Sequence, residues 1–174
     1  DFFAVPTIRL GVLYVFLVLA HDRRRVVHFN VTSNPTAEWT ARQITEAFPW
    51  DTAPRYMIRD RDAVFGETFR ARVEAMGIEE VLIAPRSPWQ NPYAERIIGT
   101  LRRECLDHVI VLDERHLRRI LHEYLDAYYH PSRTHLSLGK DSPIPRPVQP
   151  PLMGEVVSVP VLGGLHHRYE RRAA

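Results

Sequence analysis

Cysteine is almost missing from this sequence: Cys105 is the single cysteine among 174 residues. A lone cysteine can form neither an intrachain disulfide nor a zinc site built from several thiolates. We therefore expect a protein of the reducing cytosol. Because no neighbouring base stands ready to activate the thiol, Cys105 is predicted to pack in a core rather than to act as a nucleophile.

Long hydrophobic runs are missing as well. Residues 10–20 form an unbroken apolar stretch, but these eleven residues fall short of the roughly 20 that a membrane-spanning helix needs. A signal peptide would carry a positively charged segment before such a stretch, and only Arg9 precedes it. We therefore predict a buried β-strand here.

Net charge is low, at +2, and lysine is nearly absent. Lys140 is the only lysine, so 22 of the 23 basic residues are arginines, several of them clustered as at residues 23–25 and 102–103. The guanidinium group binds phosphate through two parallel hydrogen bonds, which an ammonium group cannot do. Two interpretations are open: contact with phosphate groups, or the arginine-rich codon usage of a GC-rich genome.

The hydrophobic pattern predicts an α/β protein. Residues 1–7 and 11–20 are rich in Val, Phe and Leu, and residues 25–32 alternate between apolar and polar, which predicts three antiparallel strands. Helices and strands then alternate, as expected for a parallel arrangement. The later predicted elements are a helix between Thr36 and Pro49, strands at 55–59 and 80–84, and helices at 67–76, 93–107 and 113–129. Thr36 is the predicted N-cap of the first helix, whose apolar stripe is Trp39, Ile44, Ala47 and Phe48. The last helix carries an apolar stripe of Leu117, Ile120, Leu121, Tyr124, Leu125 and Tyr128.

The composition changes after Ser142. Five prolines between residues 143 and 151 predict an extended linker, and residues 156–169 predict two short strands around a Gly-Gly pair. We therefore divide the chain into a core, residues 1–143, and a proline-rich linker with a C-terminal extension, residues 144–174. Since the chain begins with Asp rather than Met, we also expect sequence to be missing upstream.

Three acidic residues stand on separate predicted elements. Asp1 begins the first strand, Asp60 follows the fourth, and Glu95 lies near the start of the helix after a proline-rich loop. Carboxylates without a Cys or His cluster suit hard ions such as Mg²⁺ or Mn²⁺, and two such ions promote in-line displacement at phosphorus. Acidic residues at strand ends also form turns, and those at helix starts interact with the helix dipole. A metal-binding role and a structural role are therefore both open.

The motifs around these acids resemble the catalytic core of integrase-type transposases of bacterial insertion sequences, in the retroviral-integrase superfamily. In that family an Asp is followed five residues later by an aromatic residue, and Asp60 and Phe65 match this spacing. The family's loop before its catalytic Glu is matched by residues 87–95, SPWQNPYAE, and its closing motif by residues 129–139, YHPSRTHLSLG. Together the matches cover roughly residues 1–143, the predicted core.

The resemblance implies a ribonuclease-H-like fold, with a five-stranded mixed sheet flanked by helices. It assigns Asp1, Asp60 and Glu95 as catalytic acids that hold two Mg²⁺ or Mn²⁺ ions. The implied activity is DNA cleavage at transposon ends followed by strand transfer. Asp62 is the alternative to Asp60, and Asp22 is the alternative to Asp1.

The resemblance also implies DNA contacts. Arg102 lies seven residues after Glu95, on nearly the same helical face, where the family carries a basic residue. Trp89 has two possible roles, which are stacking on DNA bases and packing within the loop. The predicted DNA-contacting residues are Trp89, Asn91, Arg102, Arg103 and Arg133. Arg103 is the alternative to Arg102, and for Arg133 a structural role, fixing the last helix on the core, is open as well and slightly favoured.

The partners expected from the resemblance are transposon ends and target DNA, bound by a homo-multimer. The expected location is the bacterial cytoplasm, at the nucleoid while the protein acts on DNA. No membrane partner is expected. Two other functions stay open. One is a catalytically impaired fragment that only binds DNA. The other is a metal-dependent nuclease of the same fold.

Overall fold

The computed structural model describes residues 1–49 and 51–173. The chain forms two compact units. The first consists of Asp1–Leu19 and Val27–Glu114. The second consists of Ala20–Val26 and the chain from Arg115 onward.

The chain begins with three strands that form one sheet in the order β1, β2, β3. These strands are β1 (Phe2–Pro6), β2 (Val12–Ala20) and β3 (Arg25–Thr32). β1 runs antiparallel to β2, with Phe2 opposite Phe16. The three strands predicted from the apolar runs are therefore confirmed.

The first helix, α1 (Ala37–Ala47), begins at the predicted cap. The Thr36 hydroxyl accepts a hydrogen bond of 3.1 Å from the Trp39 N–H, which satisfies one of the free donors of the first turn. Ile44 lies on the apolar face and is buried. The helix therefore packs on the core through the predicted stripe.

A strand–helix–strand unit follows, with β4 (Tyr56–Arg59), α2 (Glu67–Ala75) and β5 (Glu79–Leu82). β4 and β5 pair in parallel, with Arg59 opposite Leu82. The carboxyl ends of both strands therefore lie side by side. The loops after β4 and β5 leave from the same edge of this sheet, where functional groups gather in α/β proteins.

The expected five-stranded mixed sheet is confirmed only as an α/β architecture. Within the described residues, hydrogen bonds join the strands into a three-stranded sheet, the parallel β4–β5 pair and a C-terminal hairpin. β4 and β5 have four residues each. Such short strands offer few backbone groups for a further neighbour.

An aromatic core fixes the loop after β4. Phe65 and Phe69 are buried with their ring centroids 4.8 Å apart, and the Arg59 guanidinium lies over both rings. This packing joins the end of β4 to the start of α2 and so fixes the loop between them. The other buried members of this core are Phe16, Ala41, Ile44, Val73 and Ile78.

One turn of 3₁₀ helix (Pro88–Gln90) leads into α3 (Pro92–Glu104). Pro92 occupies the first helical position, where its missing N–H leaves no hydrogen bond unmade. Ile97 and Leu101 face the core, and Cys105 is fully buried as predicted.

The second unit contains most of α4 (Glu114–Tyr124), which continues as a π-helical segment (Leu125–Tyr129). Most of the predicted apolar stripe of this helix is buried, and its last member, Tyr128, is half-buried. The buried members are Leu117, Ile120, Leu121, Tyr124 and Leu125. The predicted C-terminal strands are β6 (Glu155–Val161) and β7 (His166–Arg172), which pair as an antiparallel hairpin.

Among residues 1–49 and 51–173, every helix falls short of the length and apolar character needed to cross a membrane.

Candidate active site

The loop after β4 presents Asp60 through a pair of local hydrogen bonds. Asp60 Oδ1 accepts a bond of 3.2 Å from the Asp62 N–H, and Asp62 Oδ1 accepts one of 3.0 Å from the Val64 N–H. Such bonds from a carboxylate to the backbone two residues ahead are typical of aspartates in turns. Asp60 is half-buried, whereas Asp62 is exposed.

Arg59 precedes Asp60, but its guanidinium group forms an ion pair with a different carboxylate. The Arg59 side chain is buried and forms an ion pair with Glu80 on β5. Its Nη1 donates to the backbone oxygen of Asp60, not to the carboxylate. Among the described residues, no ion pair involves the carboxylates of Asp1, Asp60 or Glu95.

Glu95 lies on the first turn of α3. Its backbone N–H donates to the Asn91 carbonyl oxygen at 3.3 Å, which closes the first helical turn. The side chain of Glu95 is exposed. The positive end of the helix dipole stabilises an ionised carboxylate at this position.

Asp1 is held against β2 and against the loop before α3. Its backbone oxygen accepts a bond of 2.9 Å from the Leu17 N–H, and its amino group donates to the Leu17 oxygen at 3.0 Å. Its carboxylate Oδ2 accepts a bond of 2.7 Å from Asn91 Nδ2. Burial lowers the pKa of the Asp1 amino group to about 6, against an opposing effect of the Asp60 carboxylate.

One cavity of about 310 Å³ brings the three predicted acids together. Asp1, Asp60 and Glu95 all line it. It also contains residues that were not predicted, among them Arg61 and Arg86 from the loops after β4 and β5. The remaining lining residues are Asp62, Ile83, Ala84, Pro85, Ser87, Pro88 and Asn91.

The donors of this cavity fit a hard divalent ion by their chemistry. Carboxylate oxygens are the ligands that Mg²⁺ and Mn²⁺ prefer, and the described lining residues include neither Cys nor His. Asn91 Oδ1 is buried beside them and finds no hydrogen-bond partner among the described residues. Within those same residues, however, no three His, Cys, Asp or Glu side chains lie close enough together to hold an ion as they stand.

The predicted DNA-contacting residues fall into different surroundings. Arg102 and Arg103 are exposed on the last turn of α3, and Trp89 is 70% exposed in the turn before it. Asn91 is buried, with its side chain directed to Asp1. Arg133 belongs to the second unit, where its guanidinium lies 6.0 Å from the centre of the Tyr129 ring.

The hydrogen bond between Asn91 and Asp1 was not predicted. It joins residues 90 positions apart, and no local pattern in the sequence points to such a pair. Arg61 and Arg86 reach the cavity because each lies shortly after one of the two parallel strands, β4 and β5. Their only signal in the sequence is that each follows a predicted strand.

Comparison with known proteins supports an integrase core. Residues 76–143 match the family described as integrase core domain. Over 121 residues the chain is 28% identical to the insertion element IS476 uncharacterized 39.2 kDa protein of Xanthomonas euvesicatoria. That match covers 69% of this chain and 35% of the relative, so the chain spans about a third of the length of that protein.

Solved structures show the same fold. The HTLV-2 integrase catalytic core domain, in complex with magnesium in a trimeric form, has a TM-score of 0.61 at 12% identity, covering 82% of this chain and 89% of that chain. A chain in the structure of the simian T-cell lymphotropic virus intasome with PP2A regulatory subunit B56 gamma also has a TM-score of 0.61, at 15% identity, covering 97% and 64% respectively. The catalytic core domain of BIV integrase has a TM-score of 0.51 at 15% identity, covering 82% and 88%.

The fold is therefore that of integrase catalytic cores, which have a ribonuclease-H-like architecture. The resemblance drawn from the sequence is confirmed as a resemblance: residues 76–143 match the integrase core domain family, and the chain is similar to an insertion-element protein and to retroviral integrase cores.

Proposed function

We propose that this chain carries the catalytic domain of a DNA transposase, which cleaves DNA and transfers strands by in-line phosphoryl transfer. The observation that carries this proposal is the shared cavity of Asp1, Asp60 and Glu95, three carboxylates from separate elements of an integrase-type fold. The proposed core is residues 1–143, and the family match ends at the same residue. Residues 144–174 are the proposed C-terminal extension.

The three carboxylates are the proposed ligands of two Mg²⁺ or Mn²⁺ ions. Bound there, the ions would activate water or a DNA 3′-hydroxyl as nucleophile and stabilise the leaving oxygen. The HTLV-2 integrase core, which shares this fold, was solved with magnesium. Asp60 is presented to the cavity by its turn, and Glu95 by the first turn of α3.

The arginines give the site a means to bind the DNA backbone. Arg61 and Arg86 line the cavity beside the carboxylates. Arg61 Nε donates to the Ile83 oxygen at 3.0 Å, which anchors the side chain across the two loops. We infer that these guanidinium groups bind phosphate next to the reacting bond, while the exposed Arg102 and Arg103 contact the backbone further along the DNA.

The proposed partners are transposon ends and target DNA, bound by a homo-multimer. Two of the similar integrase structures involve assemblies, an intasome and a trimeric form. Backbone contacts made by arginines predict binding that weakens steeply with salt and depends little on sequence.

A second candidate function is DNA binding without catalysis. It is favoured by one observation: the described residues contain no ready group of three metal-binding side chains. Under this hypothesis the chain binds DNA but leaves it uncut in Mn²⁺. The third possibility, a nuclease of the same fold, would cut DNA without joining its ends to a target.

The test is Mn²⁺-dependent nicking of supercoiled plasmid DNA by the parent chain and by Glu95→Gln, with DNA binding measured in parallel. We expect Glu95→Gln to lose nicking while it still binds DNA, because only the cavity changes. Glu67→Gln is the matched control, since Glu67 also lies in the first turn of a helix but is exposed away from the cavity. Unchanged nicking by Glu95→Gln would contradict the proposal, and binding without nicking by the parent would favour the second candidate.

A further inference from the structure

Asn91 is an unusual residue in the site because only half of its amide has a partner. Its Nδ2 donates to Asp1 Oδ2 at 2.7 Å. Its Oδ1 is buried and accepts no hydrogen bond from the described residues, and the residue as a whole is buried, at 5% exposure. Buried polar atoms are nearly always paired, so an unpaired one calls for a functional explanation.

Asn91 also gives up the role that its position favours. It is the N-cap of α3, where an asparagine side chain normally accepts a bond from the backbone of the first turn. No such side-chain bond is present at this cap. The side chain is instead directed to Asp1, while the Asn91 carbonyl oxygen still accepts the Glu95 N–H.

One residue therefore contacts the elements that carry two of the three acids. Through its backbone Asn91 closes the turn that holds Glu95, and through its side chain it fixes one carboxylate oxygen of Asp1. An N–H donor on one oxygen limits the orientations of that carboxylate and leaves the other oxygen for a ligand. Hydrogen bonds of this kind to ligand carboxylates strengthen metal binding by about ten- to a hundredfold.

We propose that Asn91 is a positioning residue that orients the Asp1 carboxylate for divalent-ion binding and fixes its location relative to Glu95. This inference rests on the proposed function. It predicts that replacing Asn91 weakens ion binding without lowering the unfolding free energy, because Asn91 contributes to the ion site while its unpaired oxygen adds nothing to the stability of the fold.

The experiment is Mn²⁺ titration calorimetry on the 174-residue chain and on Asn91→Leu and Asn91→Ala, with urea unfolding of each. We expect both variants to bind Mn²⁺ about ten- to a hundredfold more weakly at unchanged or higher unfolding free energy. A residue with a purely structural role would show the reverse, a loss of stability with unchanged affinity.

Gln90→Ala is the matched control from the same loop. Gln90 Oε1 accepts a bond of 2.8 Å from the Ala84 N–H, so this change loosens the loop without touching a carboxylate. Equal weakening by Gln90→Ala and Asn91→Leu, or parent-like affinity in both Asn91 variants, would overturn the inference alone. Absence of Mn²⁺ binding by the folded parent, or parent-like binding by both Asp60→Asn and Asp62→Asn, would overturn the proposed function together with the inference.

Discussion

Two carboxylates near the ends of β4 and β5 have opposite surroundings. Glu80 is paired with Arg59, whose side chain is buried and packed over two Phe rings. Asp60 is the neighbour of the same arginine, yet its carboxylate makes no ion pair among the described residues and lines the cavity. The arginine thus pairs with Glu80 and leaves the Asp60 carboxylate without an ion-pair partner among the described residues, as the proposed ion site requires.

The same contrast extends to the second unit. There Arg23 donates to Asp141 Oδ2 at 2.6 Å and to the Ser142 and Pro143 backbone oxygens. The Ser142 N–H and the Arg23 guanidinium lower the pKa of Asp141. The Asp141 carboxylate therefore has a structural role, whereas the cavity carboxylates keep oxygen atoms available for a ligand.

The largest effect on stability is expected from removing the paired carboxylate. Glu80→Ala leaves the buried Arg59 charge without its partner, which should lower the unfolding free energy by about 3–5 kcal/mol. Urea unfolding measures the change. Glu79→Ala, one residue earlier on β5 and exposed, should change it by less than about 0.5 kcal/mol. Equal losses in the two variants would show that Arg59 does not depend on Glu80.

A smaller, pH-dependent effect is expected at His130. Burial lowers the pKa of His130; Asp126 acts in the opposite direction, and Arg25 lowers it further. Its Nε2 accepts a bond of 3.1 Å from the Val26 N–H, which only an unprotonated nitrogen can do. Below the unfolded pKa of about 6.5 the unfolded state binds more protons than the folded state, so stability falls as the pH is lowered.

Urea unfolding at about pH 7.5 and about pH 5.5 tests this effect, because the window spans the titration of an unfolded histidine. The parent should lose stability at the lower pH, and His130→Phe should lose less. His122→Gln is the control, since His122 shares the Asp126 partner but is mostly exposed. An identical pH dependence in the parent and in His130→Phe would exclude the buried histidine as its source.

The sequence predicted the elements well because their signals are local. The apolar run of β2, the Thr36 cap and the stripe of α4 each depend on residues within a few turns of one another. The family motifs added the three acids, and the fold places these in one cavity.

Other features depend on long-range contacts and could not be predicted. The Arg59–Glu80 pair follows from the parallel register of β4 and β5, and the Asn91–Asp1 bond joins residues 90 positions apart. The assumption of one continuous sheet also failed in detail, because strand count does not fix which short strands share hydrogen bonds. The sequence therefore suggested the acids as candidates but not the groups that pair with or orient them.

The smallest effect on stability is expected where the comparison is sharpest, at Asp60 and Asp62. Both line the cavity, and each accepts a backbone N–H that an asparagine oxygen could still accept. Asp60→Asn and Asp62→Asn should therefore each change the unfolding free energy by less than about 0.5 kcal/mol. Mn²⁺ binding should separate them: lost in Asp60→Asn and retained in Asp62→Asn, because the family spacing to Phe65 selects Asp60. Loss in Asp62→Asn with retention in Asp60→Asn would transfer the catalytic assignment to the neighbouring acid, while leaving the cavity as the site.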